Sequence, residues 1–568
     1  MPRLAALRRA LTRRLRVPAA TAAELDGRAR RSVPLRRHQR LIALAVALLV
    51  MVGLAGVFDG GTDVASGTPG AVLAAGPLDG SVIGTANLPE SPHCGPNGPV
   101  IWLRDTKRLP AAPIVLFLSA GIPVCVVHSS QVAFRHPLVL SWPWTRFNES
   151  QRTGVCAYLA AGGTLLAVGA SARARTVLGP TDCGGLGRRT ALYSRVENVP
   201  ESGYVDGGHL RDRQIESLRR FWAAQDAGFR LGDAPNGAEA ALAIVHDVTT
   251  PGAEVSAERY LAAERALGVH ATYAVQTRVL DDAFGRSTLT PSVARLARRV
   301  RSAGDSLAAA GVAGGSLRGL PLGVGRESYP AYTPAYATQT DLEGATLFGE
   351  LRVSRHLVGQ LSGGAVSVYR NGAERTGPQF SAAAEAAGFA ADATLSTSVA
   401  NGAFPFFQTE SGGTMRDLVR FPVSYQDLPG EHDLAVLEAV LERNVLAGAP
   451  TVAAITPDGD SRKLEAELRI IRALPPGVWT GTLDELARFV RARAKIGLDA
   501  RPIGRRSNGW LVWITASELT AGQSLVAPFA IGRAVDQSGK PLKVVDRHRI
   551  ILPPFTGRIA INVAEEVR

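Results

Sequence analysis

Histidine and lysine are both scarce in this chain. Ten histidines are spread over 568 residues, and no two of them stand four apart. The HxxxH spacing that brings two imidazoles to one metal ion is therefore missing. Five lysines accompany 58 arginines, a bias of coding rather than of chemistry. The four cysteines, Cys94, Cys125, Cys156 and Cys183, contain no CxxC pair, which argues against a zinc or redox centre. What is abundant excludes other classes. A hydrophobic content of 46% over this length rules out a disordered, collagenous or small disulfide-stapled protein, and leaves room for about two to four domains with real cores.

The net charge of +13 is concentrated at one end. Residues 1–40 hold twelve arginines against Glu24 and Asp26, a net +10, so the other 528 residues carry only +3. Basicity belongs to a tail, and nucleic acid is not an expected partner. The next eighteen residues, Leu41 to Phe58, are LIALAVALLVMVGLAGVF, without a charge. As a helix they would span roughly 27 Å, enough for the hydrocarbon core of a bilayer. A cleaved signal peptide is the rival reading, but forty residues of arginine-rich preamble are too many for its n-region. With arginines on one side only, the positive-inside rule puts residues 1–40 in the cytoplasm and residues 59–568 outside. The expected localisation is the cell membrane, single-pass, with the lipid bilayer as a partner through residues 41–58. The leucines at 4, 7, 11 and 15 recur at helical spacing among arginines, which fits a helix lying on anionic lipid or a solvated basic tail. An exported location agrees with the cysteines, which allow two disulfides in any of three pairings.

The exported part is expected to be α/β. Residues 59–92, rich in Gly, Pro, Ser and Ala, form a linker. Within 93–232 the apolar runs 99–104, 113–118, 122–127 and 137–142 predict buried strands, followed by a helix over 148–161, a Gly162-Gly163 turn and a strand over 164–169. Within 238–494 strands (242–248, 269–275, 365–370, 451–456) alternate with helices (257–267, 347–361, 433–446, 461–473), which implies a parallel sheet or barrel wrapped by helices. Over 500–568 the runs 510–515, 524–531 and 558–563 lack intervening helices and predict a small β-sandwich.

Two resemblances sharpen this outline. The stretch NESQRTGVCAYLAAGGTLLAVG (148–169) resembles glutamine-amidotransferase-like domains, in which a helix and a Gly-Gly turn deliver a central strand. Those enzymes place a nucleophilic cysteine in a tight turn; here the strand runs into Gly169-Ala170-Ser171, so the resemblance implies a non-catalytic unit. Segment 238–494 resembles the NodB-type polysaccharide deacetylases, which use a distorted (β/α) barrel. The residues that carry this are His246-Asp247-Val248, LAAERALGVHATYAV, ATLFGELRVSRHLVGQL (345–361), Tyr369-Arg370-Asn371-Gly372, FPV (421–423), AAITPDG (453–459) and Lys463-Leu464. LPLGVGRESYPAY (320–332) and Ala400-Asn401 before FPFF suggest the exopolysaccharide deacetylase branch.

In that family a divalent metal, held by one carboxylate and an HxxxH pair, polarises an acetamide and activates water. An aspartate takes the water's proton and a histidine protonates the departing amine. The resemblance makes Asp247 the base and Arg370 the residue that orients it. Elsewhere the sequence departs. The metal carboxylate falls among Val248-Thr249-Thr250, the HxxxH positions become Ala310 and Gly314, and the acid histidine becomes Thr456. Of the four histidines in the segment, His246 stands beside the base, where it is either near the pocket or a satisfied strand-end residue. His270, His356 and His432 are expected in packing or on the surface. An Asp–Arg pair can outlive catalysis, because losing one partner strands the other.

The expected function is a membrane-anchored, extracytoplasmic, catalytically degenerate deacetylase-like protein with no metal. Its expected partners are cell-envelope polysaccharide, with Tyr329, Tyr332 and Tyr369, besides Tyr336 and Phe406, as groove candidates, and the envelope or polysaccharide-export proteins. The alternatives are an active N-deacetylase drawing a metal such as zinc from unusual ligands, and a structural envelope protein without glycan affinity.

Overall fold

Every residue of the strand Ala240–Val248 is buried, as its nearly unbroken apolar run requires of a strand covered on both faces. The computed structural model describes residues 97–104, 111–142, 147–167, 208–225, 227–278, 288–336, 342–372, 379–395, 403–409, 415–427, 434–504 and 508–566. The basic tail, the apolar stretch 41–58, the linker, Cys94, Cys183, Ala400-Asn401 and His432 lie outside them. No helix among the described residues is long and apolar enough to cross a membrane.

Ala240–Val248 is central to a curled, half-barrel sheet of ten strands. Strands beginning at residues 406, 415, 391, 368, 306, 272, 240, 451 and 425 lie side by side in that order, and Val478–Thr480 adds to the start of Ala240–Val248. All neighbours run parallel except Phe406–Thr409 against Met415–Arg420. The two-residue period of a strand then sorts the side chains. Leu242, Ile244 and Val248 join an outer core with helices Ala253–Ala266, Pro291–Ser302, Leu347–Ser362, Ala435–Ala447 and Ser461–Arg472. Ala241, Ala243 and Val245 face the interior, which is filled by Leu483, Leu486 and Val490 of helix Leu483–Ala494. By the same alternation Asp247 faces inward and His246 outward.

The interior is also filled from the preceding unit. Four parallel strands, Cys125–Val127, Val100–Leu103, Leu138–Trp142 and Thr164–Ala167 in spatial order, form a separate small sheet. Helix Glu149–Ala160 begins at a reciprocal capping box between Asn148 and Gln151. At the Gly162-Gly163 turn a Cβ on Gly163 would lie 2.1 Å from the Tyr158 ring, so only glycine lets the chain pass. The run 113–118, expected as a strand, is instead part of helix Ala111–Ser119. A continuously apolar run carries no period to distinguish the two. Pro113 suits a helix's first turn, where its missing N–H is not needed. Ile114, Leu116 and Phe117 pack into one cluster with both the small sheet and the curled sheet, and Ser119 Oγ donates to Pro405 O at 3.0 Å. Cys125 and Cys156 are both disulfide-bonded.

At the other end two antiparallel sheets share a core. One holds Ile496–Pro502, Gly509–Thr520, Phe555–Glu565 and Ile531–Asp536; the other holds Arg549–Ile551, Ser524–Val526 and Arg230–Leu231. The run 524–531, expected as one strand, breaks into two because Pro528 has no N–H to offer a ladder. Arg230–Leu231 precedes the curled sheet in sequence yet pairs with the C-terminal unit.

Candidate functional site

The inward face of Ala240–Val248 ends in Asp247, and the barrel mouth is built around it. Arg370, just past strand Val368–Tyr369, reaches across two intervening strands. Its Nε donates to Asp247 Oδ1 at 3.2 Å and its Nη2 to Oδ2 at 2.9 Å. Nη2 also donates to Gln426 Oε1 at 3.0 Å, and Nη1 to Ala393 O at 3.0 Å. Arg370 is fully buried and both oxygens of Asp247 are engaged by one guanidinium, the fork geometry suited to a desolvated carboxylate. The residues that follow, Asn371 and Gly372, close the mouth: Asn371 Nδ2 donates to Gly315 O at 3.1 Å.

Opposite this pair lies the segment where the resemblance asks for two histidines. Ala310 is buried, with its N–H on Val275 O at 3.0 Å. Gly314 adopts φ +74°, and a Cβ there would lie 2.6 Å from the Gln276 side chain. A histidine at this position would meet both the backbone penalty and the clash. The loop between them is held by an acid that the sequence reading did not single out. Glu350, wholly buried on helix Leu347–Ser362, accepts from Val312 N at 2.8 Å, from Ala313 N at 3.0 Å and from the Tyr332 hydroxyl at 3.0 Å. Gln276 Nε2 and the Tyr336 hydroxyl donate to Ala313 O at 2.6 and 2.8 Å. Burial pushes the Glu350 carboxyl upward, against these hydrogen bonds.

At the third position, Thr456 is a partner of a buried ion pair. Its N–H and hydroxyl donate to Asp427 at 2.9 and 3.2 Å, and Lys463 Nζ bridges Asp427 Oδ2 at 2.7 Å, Asp458 Oδ2 at 3.1 Å and Thr456 O at 3.1 Å. Burial disfavours the Lys463 ammonium, but the two aspartates outweigh it and hold it above its ordinary value.

Of the aromatic groove candidates, Tyr369 is buried between Phe380 and Phe389, Phe406 is buried, and Tyr332 is buried with its hydroxyl on Glu350. None of these three rings offers a face to a sugar. Tyr336 is half-buried beneath the Arg278 guanidinium. Tyr329 is exposed and lines a cleft of about 860 Å³ with Glu327, Arg352, Arg355, His356 and Gln360. That cleft lies along helix Leu347–Ser362 and does not include Asp247.

The histidines are divided by side. His246 points away from Asp247, into the outer core, where its Nε2 lies 2.9 Å from Glu264 Oε1 and 4.0 Å from Glu467 Oε1. His270 is partly exposed near Asp305, and His356 is exposed on its helix. Among the described residues, His246, Glu264 and Glu467 are the group of acids and imidazoles spaced to hold a metal ion. The residues around Asp247 do not fit one: Arg370 takes both its oxygens, and Ala310, Gly314 and Thr456 bring neither an imidazole nor a carboxylate.

The sequence matches no protein-family profile and no curated protein. Solved structures similar to it include a proposed polysaccharide deacetylase from Mycobacterium smegmatis, 18% identical, covering 46% of this chain and 93% of that one, with a TM-score of 0.34. Another is a CE4 family pseudoenzyme of Bacillus anthracis, in a mutant form with restored enzymatic activity, 13% identical over 45% of this chain and 69% of that one, TM-score 0.30. A third is peptidoglycan deacetylase PdaC from Bacillus subtilis, 12% identical over 44% and 91%, TM-score 0.29.

Proposed function

We propose that the chain is a membrane-anchored, extracytoplasmic, polysaccharide-deacetylase-like protein that binds envelope glycan without hydrolysing it. The observation that carries this reading is the loop 310–314. The Val312 and Ala313 N–H groups are spent on Glu350, the Ala310 N–H on Val275 O and the Ala313 carbonyl on Gln276 and Tyr336, and the loop has no side chain able to bind a cation. A metal-dependent amide hydrolysis draws several kcal/mol of transition-state stabilisation from its ion. Asp247, neutralised by Arg370, neither replaces that ion nor has a general acid opposite it. The flanking small sheet and the C-terminal sheets serve as docking surfaces for the envelope or export machinery.

The test is retention of the purified full-length protein on N-acetylated envelope polysaccharide. Retention that weakens in Tyr329→Ala, with no acetate released, is the expected result. A protein that shows no retention on any envelope polysaccharide is a purely structural component, and the glycan reading fails.

A further inference from the structure

Among the described residues, a buried group of one imidazole and two acids lies on the far side of the strand from Asp247. His246, Glu264 and Glu467 are all buried, from strand Ala240–Val248 and helices Ala253–Ala266 and Ser461–Arg472. Their ligand atoms lie within 4.8 Å of one another. Two carboxylates share the pocket with one imidazole, so a cation or protons must balance them.

The surrounding contacts favour an ion. His246 Nδ1 lies 3.3 Å from Ile455 O, so an Nδ1–H donates to that carbonyl and leaves the Nε2 lone pair turned toward the carboxylates. Tyr273 donates its hydroxyl to Glu264 Oε2 at 2.6 Å, which fixes that carboxylate and leaves its other oxygen facing Nε2. Glu467, though buried, is met by no donor group; its side-chain hydrogen-bonding neighbour is the carboxyl of Glu264, another acid. The hydroxyl of Tyr260, equally buried and without a partner, belongs to a ring that meets His246 edge-on at 5.0 Å. One nitrogen and two carboxylate oxygens, two of them held by a second layer of hydrogen bonds, are a ligand set for a divalent transition ion. A doubly charged cation would also neutralise both acids.

We propose that His246, Glu264 and Glu467 form a structural metal site for a zinc-type divalent ion, clamping two outer helices to the central strand. The site faces away from Asp247 and has no access to a substrate in the barrel, so it supplies no hydrolysis. It is independent of the glycan-binding reading, and it changes how a metal analysis of this protein is interpreted: bound zinc alone does not make the chain a hydrolase.

The experiment is zinc content of the purified full-length protein after loading with zinc and dialysis, with cobalt as a spectroscopic substitute. Stoichiometric zinc that survives dialysis, a cobalt spectrum of low-symmetry nitrogen–oxygen ligation, and loss of both in Glu467→Gln but not in Asp247→Asn are expected. Zinc lost in Asp247→Asn and kept in Glu467→Gln would place the ion in the barrel mouth and overturn the proposal. So would a wild-type protein that binds no zinc or cobalt, a result that needs no variant to fold and that leaves glycan retention untouched.

Discussion

Asp247 and Arg370 form a buried ion pair at the barrel mouth, and burial makes each depend on the other. Removing one partner of a buried ion pair leaves an uncompensated charge, at a cost of about 3–5 kcal/mol. Arg370→Ala is therefore expected to lower unfolding free energy by about that amount, measured by chemical denaturation. The double substitution Asp247→Ala with Arg370→Ala should cost clearly less than the two singles added, since neither charge is then stranded. Additive losses would mean that the two side chains do not stabilise each other. The acids of the outer layer follow the same logic at single positions. Glu350, Glu264 and Glu467 each stand at a core position of its helix, in register with Leu347 and Leu351, with Ala257 and Leu261, and with Ile470 and Ile471. That was the legible signal for them: a carboxylate on an apolar face is costly unless something meets it. Which partner meets it depended on folding, because His246 and Glu467 are more than two hundred residues apart.

At the scale of elements, periodicity located four of the curled sheet's ten strands, those over 242–248, 269–275, 365–370 and 451–456, and the helices Ala253–Ala266, Leu347–Ser362, Ala435–Ala447 and Ser461–Arg472. It failed where period is absent. The helix Ala111–Ser119 is apolar on every side because it is enclosed by two sheets, and the strand Ser306–Ala309 is built of small residues with little strand character. The His246 cluster also joins elements, and in the metal-free protein it makes their packing depend on pH. Burial pulls the His246 imidazole down, but Glu264 and Glu467 outweigh it and push it up to about 9. Burial, and then Glu264, push Glu467 up to about 8 against the His246 charge. The raised imidazole contributes stability that is complete below its ordinary 6.5 and is lost as pH rises through 9. The raised carboxyl works in the same direction, because the folded chain keeps a proton that the unfolded chain releases above about 4.5. Melting temperature of the chelated protein should thus fall from pH 5 to 9, with a limiting slope of about 1.4 kcal/mol per pH unit for each group. Glu467→Gln should flatten that slope; an unchanged slope would mean that the cluster does not govern it.

The small sheet and the curled sheet share one hydrophobic cluster, while the C-terminal sheets have a core of their own. Phe117 packs with the interior of the curled sheet, and Arg230–Leu231 ties the C-terminal unit to the chain ahead of the barrel. Phe117→Ala is expected to cost about 3–5 kcal/mol and to shift tryptophan fluorescence and far-ultraviolet dichroism transitions together; transitions that separate would mark independent units. If the barrel mouth holds no catalytic ion, as we propose, amide hydrolysis should be absent. The most direct test is acetate release from N-acetylated oligosaccharide by the full-length protein supplied with zinc, cobalt or nickel. No release above the no-enzyme control is expected with any of the three; metal-dependent release abolished by Asp247→Asn would overturn the proposal.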